Sequence, residues 1–377
     1  MKLIYISNSR LPSEYAHGLQ VMQMCEAFSA NNHDVKLVMP SRINRIKKDP
    51  FDYYGIKKTF SIKKLPTLDL IFLNNKNIFF LIQTLTFLLS AKIYLLFKKY
   101  DVLYTREQMV GLFFSNIVLE LHLLPKKIRP FHLRIWKKSK KLIVLTSFIK
   151  KRLIEFGISG DKIIVASDGV NLPLFDISIS KEDARRKTNL PLDKKIVGYV
   201  GMLRTLGMEK GVDIALKSLS EIKNPDIIFV LVGGTKEDID FYGDLVSRLG
   251  IKERVLFVGR VAHSLVPVYL KAFDVLLAPF PENEHYNFYM SPMKIFEYMA
   301  SKRPIISTKL PTLIETLGDS ALLLEPDNIG QLRDGITKVL NDRELVDNLS
   351  LKAYNRVLGY TWESRAKSII ESVKFIK

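Results

Sequence analysis

Short apolar runs rich in β-branched residues alternate along this chain with stretches whose apolar positions recur every three or four residues. Runs of the first kind predict strands at Lys2–Ser7, Asp34–Met39, Val102–Thr105, Leu142–Thr146 and Ile163–Ala166. A second set predicts strands at Ile196–Val200, Ile227–Val232, Val255–Val258, Val275–Ala278 and Pro304–Ser307. The helical period falls between most of them, for example over Gln20–Asn31, Ser147–Phe156 and Val212–Leu219. Strand and helix in turn mark an α/β class with parallel sheets. Two such blocks follow one another, residues 1–175 and 190–358, and the stretch Asn171–Leu190, with Pro173 and a charged patch, reads as a linker. Residues 360–377 read as one last amphipathic helix.

One run stands apart. Ile78–Phe97 is apolar but for Gln83, Thr84, Thr86, Ser90 and Lys92, and it is long enough to cross a bilayer. A packed domain helix, an interfacial amphipathic helix and a true span all match that length. The run leads straight into Lys98-Lys99-Tyr100-Asp101 and the strand at Val102, inside an α/β block. It is therefore read as a domain helix and not as a transmembrane anchor.

Composition narrows the class. A chain of 377 residues exceeds what one hydrophobic core usually covers, and 47% apolar with 25% charged residues are the shares of an ordinary globular protein. A single cysteine, Cys25, excludes an internal disulfide framework. The opening Met1–Ile6 is too short an apolar run for a signal peptide, so the expected location is the cytoplasm. Charge is lopsided: residues 1–180 hold 28 Lys and Arg against 13 Asp and Glu, and the remainder 29 against 26. The cations cluster around Arg42–Lys48, Lys57–Lys64 and Lys126–Arg152. Such asymmetry points to a polyanionic partner, nucleic acid or an anionic membrane, with a merely solvated lysine-rich surface as the plainer reading.

Ligands of parallel α/β domains meet the carboxyl ends of the strands, and two such domains facing each other make a cleft. After the first strand comes Tyr15-Ala16-His17-Gly18-Leu19-Gln20, which is not a dinucleotide fingerprint. Gly18 is either a turn glycine or a point of close backbone approach to a phosphate or sugar. The second block is richer: Gly201-Met202-Leu203-Arg204 ends a strand, and Glu209-Lys210-Gly211-Val212-Asp213 opens a helix. Arg204 and Lys210 beside a glycine-bearing loop suit a diphosphate, though either is equally a surface cation. Further on, Lys294 and Glu297 lie three apart on one helical face, where the carboxylate suits ribose hydroxyls or forms a local ion pair. Asp238-Ile239-Asp240 has the spacing of a metal-holding pair, but at a predicted helix start it reads as N-terminal helix charge.

Taken in order, several of these segments resemble retaining glycosyltransferase family 4. They are Gly18-Leu19-Gln20, Glu120-Leu121-His122, Ser167-Asp168-Gly169-Val170-Asn171 with Phe175, and Gly201…Arg204…Lys210-Gly211-Val212-Asp213. Val258-Gly259-Arg260, Ser291-Pro292-Met293-Lys294-Ile295-Phe296-Glu297-Tyr298-Met299-Ala300 and Pro304-Ile305-Ile306 complete the set. The resemblance spans almost the whole chain and implies the GT-B architecture, two Rossmann-like domains facing a central cleft. It implies an acceptor-binding first domain, a nucleotide-sugar-binding second domain, and a final helix that returns to the first.

Residue by residue, the resemblance assigns Arg204 and Lys210 to the donor diphosphate, Glu297 to the ribose, and Val258, Gly259 and Arg260 to the nucleobase side. The loop Met290-Ser291-Pro292-Met293 would offer N–H groups, with Gly18, Gly201 and Lys294 also on the donor, and His122 would stand near the reacting sugar. Two departures are visible. Tyr289 stands where the family places the first glutamate of a pair with seven residues between, and Met202 stands where many relatives have arginine, for which Arg204 is the substitute.

The implied function is a retaining, hexosyltransferase-type glycosyltransferase. It would move sugar from a nucleotide-diphospho-sugar to a saccharide or polyprenyl-linked acceptor in surface polysaccharide biosynthesis. With cations serving the leaving group, neither metal nor other cofactor is expected. An anionic membrane surface accounts for the first block's charge, giving a cytoplasmic protein peripheral to the inner face of the membrane. Nucleic acid is not an expected partner, because that block lacks an aromatic-plus-basic recognition module. The alternatives are a nucleotide-sugar epimerase of the same architecture and a catalytically silent binding subunit, the latter suggested by Tyr289.

Overall fold

The computed structural model describes residues 1–70, 76–205 and 207–374. The chain divides into two compact units: Met1–Asp168 with Trp362–Lys377, and Gly169–Thr361.

In the first unit seven strands form one parallel sheet. They are β1 (Lys2–Ile6), β2 (Asp34–Pro40), β3 (Ser61–Leu65), β4 (Val102–Thr105), β5 (Val118–Leu121), β6 (Lys141–Val144) and β7 (Ile163–Val165). Their order is β3-β2-β1-β4-β5-β6-β7, so the winding reverses between β1 and β4. Strands β1, β4, β5 and β6 are buried almost throughout, as a sheet covered on both faces requires. The sequence pattern did not single out β3 or β5. Strand β3 is a lysine-bearing edge, and β5 carries Glu120 in the middle of its apolar run.

The second unit repeats the plan with β8 (Lys195–Val200), β11 (Ile227–Val232), β12 (Val255–Gly259), β13 (Val275–Ala278), β14 (Ile305–Thr308) and β15 (Leu322–Leu324). Here the parallel order is β12-β11-β8-β13-β14-β15, reversing between β8 and β13. A small antiparallel pair, β9 (Arg204–Thr205) and β10 (Met208–Glu209), stands on the loop after β8. Alternate strand residues feed two cores. Ile196, Val200, Val230, Leu276 and Ile305 lie in one, and Val197, Tyr199, Phe229, Leu277 and Ile306 in the other.

The expected linker is not one. Val170, Phe175, Ala184 and Leu190 belong to the core of the second unit, and the charged patch is a helix, Lys181–Lys187, capped by Ser180. Its Arg185 is buried, donating to the Ala272 carbonyl at 2.9 Å and to Asp274 at 2.6 Å. A guanidinium satisfied by a carbonyl and a carboxylate can be buried, which a linear count of charges does not reveal. The boundaries accordingly fall at Asp168/Gly169 and Thr361/Trp362.

The final helix, Trp362–Lys374, packs on the Ala16–Ala30 helix of the first unit, and the last three residues of the expected segment lie outside those described. Dividing the chain this way sharpens the charge. The first unit holds 32 Lys and Arg against 14 Asp and Glu, the second 25 against 25. The whole excess of +18 is on the first unit.

Candidate functional site

In the second unit the candidate residues gather at the carboxyl ends of β8 and β13, where the sheet reverses. Gly201 follows β8 with φ 131°, its N–H donating to the Val232 carbonyl. The neighbouring Gly233 has φ 117°, and a Cβ there would stand 2.2 Å from the Gly201 oxygen, so only glycine lets the two backbones approach. Gly211 opens the Val212–Glu221 helix at φ 77°, against the Pro279 carbonyl after β13. Tyr298 fastens the Met293–Ala300 helix to the end of β8, its hydroxyl accepting from the Val200 N–H at 2.7 Å. That bond sets Lys294 beside Gly201, where a Cβ would lie 3.2 Å from its Nζ.

The charges are arranged unevenly. Lys294 is half-buried along its stem, but its Nζ is shut off from solvent and has no hydrogen-bond partner among the described residues. It lies 3.7 Å from the centroid of the Tyr199 ring and 5.4 Å from that of Phe280. Burial, and then the Lys210 ammonium, push its pKa well below the ordinary lysine value, while Glu297 acts the other way. Lys210 is itself lowered to about 8, chiefly by burial and against the pull of Asp238. Two lysines with lowered pKa thus lie close enough to repel each other. Glu297 does not form the local pair with Lys294: its carboxylate meets His263 Nε2 at 3.3 Å instead. Burial opposes protonation of His263, yet Glu297 raises its pKa overall.

Arg204 is less free than its spacing suggests. It donates from Nε to Asp238 at 2.8 Å and lies over the Phe241 ring at 4.4 Å. Asp238 also completes a capping box with Thr235 at the start of the Lys236–Arg248 helix, and Asp240 pairs with Lys236 at 2.7 Å. The Asp-x-Asp spacing is therefore occupied by helix capping. Val258 and Gly259 end β12, the Gly259 carbonyl accepts from the Gly233 N–H at 2.7 Å, and exposed Arg260 follows beside Met202. Tyr289 ends the Glu284–Phe288 helix, its N–H on the His285 carbonyl. Met290 is buried, and half-buried Ser291, Pro292 and Met293 lead into the helix of Lys294.

The first unit has a separate constellation at the ends of β1, β4 and β5. Glu120, fully buried on β5, accepts from Gln20 at 2.8 Å, from Arg365 at 2.8 Å and from His122 at 2.5 Å through one oxygen, and from the Tyr104 hydroxyl through the other. Arg106, just past β4, bridges Gln20 at 2.6 Å and His122 Nδ1 at 3.0 Å. Burial, and then Arg106, lower the pKa of His122, so the ring is neutral with its proton on Nε2 toward Glu120. Both ring nitrogens are then engaged, and His122 is held as a fixed wall with neither nitrogen turned outward as a base. Glu120, His122 and Asp168 bring potential metal-ligating atoms within 4.8 Å of one another. The Glu120 carboxylate is already saturated by four donors, however, and the Arg106 and Arg365 guanidiniums oppose a cation there.

Gly18 corrects an expectation. It lies inside the Ala16–Ala30 helix, not in a turn before it, and a Cβ there would stand 2.2 Å from the Tyr54 hydroxyl. Packing fixes this glycine. The sequence reading missed Arg106, whose place just beyond a predicted strand was a usable signal, and His263 and Arg365, for which no local signal exists.

Residues 180–356 match the model of the glycosyl transferases group 1 family. An uncharacterized glycosyltransferase of Methanocaldococcus jannaschii is 25% identical over 249 residues, 63% of this chain and 60% of that protein. The matched stretches span between 47% and 60% of the curated relatives' lengths. Among solved structures, sucrose-phosphate synthase from Thermosynechococcus elongatus superposes with a TM-score of 0.76 at 21% identity, over 98% of this chain and 97% of its own. HepE from Anabaena, in complex with UDP and glucose, gives 0.75 at 16% over the whole of both chains. These likenesses establish the architecture. Residues 180–356 thus resemble glycosyl transferases group 1, and the two parallel-sheet units are those of the GT-B fold.

Proposed function

We propose that this protein transfers a hexosyl group from a nucleoside-diphosphate sugar to a saccharide acceptor, with retention of anomeric configuration. One observation carries the reading: the buried Lys294 ammonium, without a hydrogen-bond partner among the described residues, stands near Lys210 at the start of a helix beside a sheet reversal. Two neighbouring lysines with no carboxylate in ion-pair contact among the described residues suit a dianion, and a diphosphate supplies that charge. Solved structures of HepE bear UDP and UDP-glucose, which supports a nucleotide-sugar as the ligand.

In the reaction the bond from the anomeric carbon to the phosphate oxygen breaks and a bond to the acceptor oxygen forms. The departing diphosphate takes the electron pair and the acceptor's proton. Lys210 and Lys294 neutralise the charge growing on the diphosphate, the task a metal ion performs elsewhere. Glu297, oriented by His263, holds the ribose hydroxyls, and Gly201 and the Met290–Met293 loop lie against phosphate and sugar. The acceptor is polyprenyl-linked, a growing surface saccharide, and the protein is peripheral to the anionic inner face of a membrane. The +18 of the first unit supports that placement.

A thermal-shift and donor-hydrolysis screen with UDP-, GDP-, ADP- and TDP-sugars tests the site. One donor should raise Tm and be turned over slowly, and Glu297→Ala should lose both responses. Indifference to every donor would remove the reading.

Donor affinity should also fall as pH rises through about 8. Lys210 is charged below that value and neutral above it in the free protein, while the bound diphosphate favours the ammonium. Binding above pH 8 must therefore take up a proton, weakening affinity by about tenfold per pH unit for one such group. Calorimetry in two buffers of different ionisation enthalpy, from pH 6.5 to 9.5, measures both effects. A flat affinity without proton uptake would show that Lys210 does not face the diphosphate.

A further inference from the structure

The Lys76–Leu96 helix of the first unit is amphipathic the wrong way round for a helix facing water. Three of its polar side chains point inward. Gln83 is fully buried and donates to Asn8 at 2.8 Å, Thr84 accepts from Asn8 at 2.9 Å, and the Thr86 hydroxyl receives the Leu68 N–H at 3.1 Å. Phe87, Leu88, Ala91 and Leu95 complete the packed face. The outward face is apolar: Ile78, Leu81, Leu85, Leu89, Ile93 and Leu96 recur at helical spacing, each between 39% and 71% exposed. Exposed Lys92 edges this stripe, and exposed Phe97, Lys98 and Lys99 follow it. The edge strand β3 alongside adds exposed Lys63 and Lys64.

A contiguous apolar stripe some six residues long is not left to water without a partner. The helix runs about 31 Å at 1.5 Å per residue, and from Gln83 to Leu95 its inner face is bonded or packed to the domain. It is therefore placed to lie along a bilayer, not to cross it. Charge complementarity selects the partner: the stripe is edged by lysines whose stems reach past apolar surface to anionic headgroups, on the unit that carries the whole +18.

We propose that the Lys76–Leu96 helix is the membrane-docking element, sinking its Ile78–Leu96 stripe into the acyl boundary of an anionic leaflet. This rests on the reading that the first unit meets an anionic membrane.

The test uses the full chain with vesicles of phosphatidylcholine alone or with 30 mol% phosphatidylglycerol as a chosen probe composition, roughly the anionic range in which polybasic docking operates. An environment-sensitive fluorophore on Leu89→Cys reports insertion, since native Cys25 is buried and its thiol pKa raised by burial. Brominated acyl chains should quench it on anionic vesicles, and Leu85→Glu/Leu89→Glu, two exposed positions, should weaken partitioning at least about 30-fold. Vesicle binding without quenching, equal in the double variant, would overturn the helix as docking element and leave the membrane reading standing. No binding to anionic vesicles would overturn both. Self-association in solution that the double variant abolishes, without quenching on vesicles, would give the stripe to a second copy and overturn the proposal.

Discussion

Replacing Lys294 with methionine is expected to make the free protein more stable while removing most of its catalytic power. The ammonium is buried without a hydrogen bond or ion pair among the described residues, and Lys210 repels it. Its ring contacts with Tyr199 and Phe280 return about 2 kcal/mol, against several kcal/mol for desolvating the charge. Methionine keeps the unbranched stem and carries no charge, so the free fold should gain about 1–3 kcal/mol. The sign of the pH dependence separates charge from packing. The folded pKa of Lys294 lies below the unfolded one, so its charge destabilises the protein below the folded value, and stability recovers as pH rises from there toward the unfolded pKa. Wild type should gain stability over that window, and Lys294→Met should have lost this group's share of the gain. Turnover tells the opposite story. A cation placed against the leaving diphosphate contributes as an oxyanion-hole donor does, so kcat/KM should fall about 100- to 1,000-fold. Urea titrations and donor kinetics on the one variant decide it. A destabilised variant, or one with turnover intact, would show that Lys294 is a packing residue.

Much of this site was visible before the fold was known, because the second unit carries its chemistry on local signals. Gly201, Lys210, Lys294 and Glu297 each adjoin a strand end or helix start that periodicity reveals, and the chain brings them to the reversal between β8 and β13. What stayed hidden depends on direction or distance. The polar residues of the Lys76–Leu96 helix were countable, but only packing shows that Gln83 and Thr86 face Asn8 and Thr67 and leave Leu81, Leu85, Leu89 and Leu96 outside. Glu120 interrupts an apolar run, which obscured β5, because a carboxylate there needs partners from elsewhere in the chain. Gly18 looked like a turn and is a contact with Tyr54. Arg185 looked like part of a linker and is a buried ion pair with Asp274.

The second large effect is expected at Arg365. This guanidinium on the final helix donates to Glu120 at 2.8 Å, to the Ser167 carbonyl at 2.9 Å and to the Ala166 carbonyl at 3.2 Å, 245 positions from its carboxylate. Burial alone would raise the Glu120 pKa, but Arg365, and then His122, outweigh it and hold the carboxyl well below the usual range. Arg365→Met leaves that carboxylate buried with its strongest partner gone, at a cost of about 3–5 kcal/mol near neutral pH. The pH profile should change sign with it. In the wild type a depressed folded pKa adds stability that is present above the unfolded value, about 4.3, and is lost as pH falls toward the folded one. In Arg365→Met the folded pKa should lie above the unfolded one, so this group's contribution worsens as pH rises through the window between them. The variant should then resist mild acid better than neutral buffer. Glu120→Gln added to Arg365→Met should restore part of the loss, because a neutral amide needs no counter-charge, whereas Arg365→Lys should fall short for want of its two carbonyl contacts. Chemical denaturation from pH 4 to 8, followed through Trp136 and Trp362 of the first unit, resolves these curves. If Arg365→Met instead loses the same stability at every pH, the final helix is held by apolar packing of Trp362, Ala366 and Ile369, and the ion pair sets only the position of His122.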